Sequence, residues 1–129
     1  MTSNDTAANE QTVRDFIRTA FTEGRAQDAL DLYVGDRYVQ HNPGVPDGSE
    51  GLIQAVKESA GTFPNFLFEI RRAIAHEDHV VLHSYMTVTG EPPGFAVMDI
   101  FRLEDGKIVE HWDVVQPIPE DPANDNTMF

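Results

Sequence analysis

Apolar residues in the first half of the chain recur at helical spacing. In "TAANEQTVRDFIRTAFTEG" (6–24) they fall at Val13, Phe16, Ile17, Ala20 and Phe21, and Gly24 supplies a stop. "AQDALDLYV" (26–34) predicts a second, shorter helix. "GDRYVQHNPGVPDGSEG" (35–51) is rich in Pro and Gly and reads as a turn region. "SEGLIQAVKESAGTF" (49–63) predicts a third helix, with Ser49 as N-cap and Leu52, Ile53, Val56 and Ala60 on one face. After Pro64 the period falls to two, and four strands are expected over 65–75, 79–90, 94–103 and 107–116. "HEDH" is a tight hairpin between the first two, and the prolines of "EPPG" interrupt pairing between the next two. Three helices followed by an antiparallel meander is an α+β pattern. The expectation is one domain over 1–129, with residues 1–6 and 118–129 flexible or packed on a partner.

The last two strands can be set in register. A three-residue loop at "LEDGK", with Gly106 left-handed, pairs Leu103 with Lys107. Asp99 then faces His111, and Val97 faces Asp113. Val97, Asp99, Phe101, Val109, His111, Asp113 and Val115 share a face. A second strand in even register adds His83 and Tyr85. A two-residue Asp-Gly turn would put Asp99 and Asp113 on opposite faces. The other face, with Ala96, Met98, Ile100, Ile108, Trp112 and Val114, is apolar too, so both sides need cover. Helices cover one side, and a second copy of the chain is the simplest cover for the other, predicting a homodimer through the outer sheet face.

Composition narrows the chemistry. A formal net charge of -13 repels nucleic acid and anionic membranes, so neither is expected as a partner. With no Cys, there is no disulfide, thiolate metal site or Cys nucleophile, which suits a cytoplasmic protein. The polar start "MTSNDTAANEQ" lacks the apolar core of a signal peptide. Eight Phe are available to fill a core.

At "YVQHNP" (38–43), "GSEGL" (48–52) and "DIFRLEDGKIVEHWDVVQ" (99–116) the chain resembles the SnoaL-like polyketide cyclases of the NTF2-like superfamily. The resemblance implies a cone in which a curved sheet wraps around N-terminal helices and encloses a pocket. It also implies an aldol-type ring closure that uses an Asp on the last strand as general acid/base, with no metal or cofactor. By motif position that Asp is Asp113. The family places a His on the preceding strand where this chain has Asp99, and a cross-strand Asp99–His111 pair could restore an imidazole. "HNP" (41–43) corresponds to the pocket mouth of relatives.

Enolate chemistry needs a base beside a carbon acid and a donor beside the developing oxyanion. Asp113, Asp99 and His111 are the candidate catalytic groups. His41, Asn42, His83, Tyr85 and Tyr38 are candidate substrate contacts. The expected ligand is a small apolar or carbonyl-containing molecule. Each residue also has a structural reading. Asp99 and His111 could be a satisfied buried pair, His41 and Asn42 turn formers, and His83 and Tyr85 packing residues. Two other classes compete with the cyclase. One is a non-catalytic ligand-binding module. The other is a metal enzyme using His41, His83, His111 and Asp99.

Overall fold

The computed structural model describes residues 5–129, so residues 1–4 of the expected flexible end lie outside it. Asp5 caps the first helix, α1 (Thr6–Ile17), its carboxylate accepting from the Ala8 amide at 3.0 Å. Thr6 is therefore part of an ordered helix start. A wider π-helical turn, Arg18–Thr22, follows, closed by the Glu23 amide on the Arg18 carbonyl. Phe16 and Phe21, five residues apart, diverge on a regular α-helix. The wider turn brings their rings edge to face at 6.5 Å. Then come α2 (Ala26–Tyr33), β1 (Val34–Gln40), α3 (Gly48–Glu58), β2 (Leu67–His76), β3 (His79–Thr87), β4 (Phe95–Glu104) and β5 (Lys107–Pro117).

The three helices and the four-strand meander match the sequence expectation. The fold is α+β, as expected, with an open sheet ordered β1-β5-β4-β3-β2. β1 is the addition. It lies within the stretch that reads as turns, and it pairs with β5 in parallel, with Gln40 beside His111. The sheet is thus mixed. Ser49 is not the cap of α3; that position belongs to Asp47, whose carboxylate accepts from the Gln40 amide at 2.8 Å.

The β4–β5 hairpin closes on two residues, Asp105 and Gly106, both with positive φ. Glu104 therefore pairs with Lys107 and Leu103 with Ile108. That correction would reverse the face of everything beyond the turn. A β-bulge between Arg102 and Leu103 restores it. Past the bulge Phe101 faces His111, Asp99 faces Asp113 and Val97 faces Val115. Asp99 does not stand opposite His111, yet the expected face holds together. Because of the bulge Ile108 and Val109 are both buried, so Ile108 belongs to the core and not to the outer face.

The core lies between α1 and the inner sheet face, where Phe16, Leu82, Phe101 and Ile108 are almost wholly excluded from water. Each such side chain contributes about 1.5–3 kcal/mol. β3 runs in the opposite parity to the one expected. Leu82 faces Asp99 and Ser84 faces Val97, so His83 and Tyr85 pair with Met98 and Ala96 on the outer face. The chain's end reaches that face as well: the Phe129 ring stacks on His83 at 5.4 Å and meets Tyr85 edge-on at 5.6 Å. Among the described residues no helix is long and apolar enough to cross a membrane.

Candidate active site

The inner face of β4 and β5 opens into a cavity of ≈ 220 Å³. Its walls are mostly aromatic and aliphatic. Phe16 and Phe21 come from the first helix and its π-helical turn, Phe66 from just before β2, Phe68 from the start of that strand, and Phe101 from β4. Apart from Ser59, its polar residues gather at one end: Tyr38, Gln40 and Asn42 from β1 and the loop after it, Asp99 from β4, and His111 and Asp113 from β5. Among the described residues no Lys or Arg lines it.

The polar end is a hydrogen-bonded chain. His111 Nε2 lies 2.8 Å from Asp99 Oδ1 and 3.9 Å from Asp113 Oδ2. Its other nitrogen, Nδ1, lies 2.9 Å from Gln40 Oε1. Asn42 Nδ2 donates to Asp113 Oδ1 at 2.8 Å. Gln40 Nε2 reaches the Tyr38 hydroxyl at 3.4 Å. The His111 ring rests on Phe101 at 4.7 Å, which fixes its plane. Asp99 Oδ2 is buried and accepts no hydrogen bond from any described residue.

Electrostatics separate these groups. Burial, reinforced by the nearby Asp99 carboxylate, raises Asp113 above the usual Asp range. The neighbouring His111 and the Asn42 hydrogen bond pull the other way without cancelling that rise. Burial, with the Asp99 and Asp113 carboxylates, pushes the Tyr38 hydroxyl well up, so it stays protonated and can donate.

Of the candidates, Asp113, Asp99, His111, Asn42 and Tyr38 meet at the cavity. His41 does not. It stacks on Trp112 at 4.8 Å and bonds Glu110 at 2.7 Å, outside the cavity lining. His83 and Tyr85 lie on the far face, where His83 bonds Arg72. The four-residue metal set is therefore not assembled. A different trio, Asp99, His111 and Asp113, offers three ligand atoms within 4.8 Å of one another. Gln40 is the residue that sequence reasoning misses. Its signal was the period-two spacing of Tyr38, Gln40 and Asn42, hidden inside a Pro- and Gly-rich stretch.

The loop carrying Asn42 is seated by a close approach. A Cβ on Gly51, in the first turn of α3, would collide with the Pro46 carbonyl, so only glycine lets the loop lie there.

No curated protein matches this sequence. Solved structures do. TsrD from Streptomyces laurentii is 24% identical with a TM-score of 0.72, over 86% of this chain and 90% of that one. A Bacillus cereus protein provisionally designated a polyketide cyclase is 26% identical with a TM-score of 0.70, over 84% and 74%. A Kribbella flavida protein provisionally designated a ketosteroid isomerase is 15% identical with a TM-score of 0.72, over 95% and 88%. The SnoaL-like domain family model matches residues 13–111, a span that begins within the first helix and ends at His111, two residues before Asp113, and the chain belongs to that family.

Proposed function

We propose that this protein is a cofactor-independent acid/base enzyme acting on a small, uncharged carbonyl compound, by aldol-type cyclisation or by isomerisation. The carrying observation is Asp113, a carboxylate raised by burial at the polar end of an apolar cavity. A base tuned toward neutral pH can take a proton from carbon and return it. Asp113 removes the α proton, the C–H electron pair moves onto the carbonyl oxygen, and the protonated Tyr38 hydroxyl donates to the oxyanion. The enolate carbon then attacks a second carbonyl, closing a ring, or takes the proton back at another carbon. The Asp99–His111 pair supplies or accepts the second proton. A cavity with two carboxylates and no cation disfavours anions, so the substrate is taken to be neutral. Its size, below the roughly 300 Å³ of drug-sized pockets, favours a compact molecule.

The test needs no knowledge of the natural substrate. In D₂O the enzyme should catalyse deuterium exchange α to the carbonyl of 2-tetralone, a compact bicyclic ketone. Asp113→Asn should lower that rate about 10²- to 10⁴-fold. An undiminished rate in the folded variant would overturn the reading.

A metal-dependent reaction is the second reading, favoured by the close approach of Asp99, His111 and Asp113. We also propose a homodimer through the outer sheet face, because Met98, Ile100 and Val114 remain exposed there.

A further inference from the structure

We infer that Gln40 is a positioning residue that holds the His111 proton on Nδ1 and leaves Nε2 facing the two carboxylates. The inference rests on the acid/base reading for its catalytic consequence, but not for its structural content.

The amide orientation of Gln40 is set by an unambiguous donor. The Asn42 backbone N–H, which can only donate, reaches Gln40 Oε1 at 3.0 Å. The atom 2.9 Å from His111 Nδ1 is therefore a carbonyl oxygen, which can only accept. Nδ1 must carry a proton. The other ring nitrogen is then the one that exchanges protons, 2.8 Å from Asp99 Oδ1 and 3.9 Å from Asp113 Oδ2. The acceptor is itself braced. The Gln40 backbone N–H donates to Asp47 at 2.8 Å, its side-chain Nε2 reaches the Tyr38 hydroxyl at 3.4 Å, and the residue is locked beside His111 in the parallel β1–β5 ladder. Residues 40 and 42 thus form one clamp: Gln40 fixes the imidazole and Asn42 fixes Asp113. The 2.8 Å contact between Nε2 and Asp99 Oδ1 also holds a proton, carried by one atom or the other; without the Gln40 oxygen the single proton of a neutral ring can move to Nε2 with Asp99 as its acceptor, and Nε2 then no longer receives a proton.

The experiment is ¹⁵N NMR of the His111 ring in the full chain, combined with 2-tetralone exchange kinetics. Wild-type protein should show a protonated Nδ1. Gln40→Leu, which removes the acceptor, should move proton density to Nε2. It should also lower kcat for exchange about tenfold or more, with a smaller change in KM. Gln40→Glu retains an acceptor oxygen and should restore the Nδ1–H signature. A bare Nδ1 in the wild type, or unchanged His111 signals in Gln40→Leu, would overturn the assignment. If Gln40→Leu does not fold, the wild-type spectrum and Gln40→Glu still decide it. The two readings fail separately. Normal exchange by Asp113→Asn with the expected His111 shifts removes the acid/base reading and leaves Gln40 in its role. The reverse pattern removes Gln40 alone.

Discussion

Asp99 and Asp113 stand directly opposite each other in the β4–β5 ladder. Burial raises the Asp113 carboxyl, and the Asp99 carboxylate facing it adds to that rise. A group raised in the folded state binds its proton more tightly there than in the unfolded chain. Its stabilising contribution is complete below the unfolded Asp value and disappears as pH rises through the raised folded value. Asp113→Asn should therefore melt above wild type at neutral pH, with the gap closing toward acid. Thermal melts of both proteins from pH 4 to 8 check this; a gap that widens toward acid would contradict it.

The Asn42 hydrogen bond favours the ionised form of Asp113. Asn42→Ala should raise that carboxyl further. With that bond gone, the acid limb of the pH–rate profile should move to higher pH. Exchange kinetics across pH give the answer, and an acid limb that stays in place would detach Asn42 from the base.

Val114 is 71% exposed on the outer face, in line with Met98. If that face joins two copies, Val114→Glu places two charges in the contact and should shift the protein from dimer to monomer in light scattering. The exchange rate should not change, since Val114 is not part of the cavity lining. A wild-type monomer at micromolar concentration would remove the dimer.

Chelation separates the two chemistries of the Asp99–His111–Asp113 cluster. Exchange by the cofactor-independent route should survive exhaustive treatment with EDTA. Loss of the rate, with recovery on adding back zinc or manganese, would transfer the site to the metal-dependent reading.

The helices and the meander were legible because their apolar periods are strong and local. β1 was not: Gly35, Asp36 and Arg37 break the alternation, and its partner β5 lies far along the chain. That His111 and Asp113 share a face could be read from strand parity alone, whereas Asp99 joins them only because a bulge undoes the effect of the two-residue turn. The exact register could not be read, because a turn and a bulge shift it in ways that cancel for facing and not for pairing. His83 and Tyr85 were misplaced by one step of parity in β3, a step no local residue fixes. Gln40 was invisible for a related reason. Its role comes from a contact 71 residues away, which appears only when β1 docks on β5.

The chain has a single tryptophan, Trp112, with His41 stacked at 4.8 Å and His79 at 6.1 Å. It projects away from the cavity lining. Intrinsic emission is therefore a gauge of the outside of the sheet. It should respond when the two flanking imidazoles gain or lose protons, or when something covers that side, and stay quiet when a ligand enters. Occupancy of the interior has to be followed by another signal, such as the ring nuclei of the phenylalanines that enclose it.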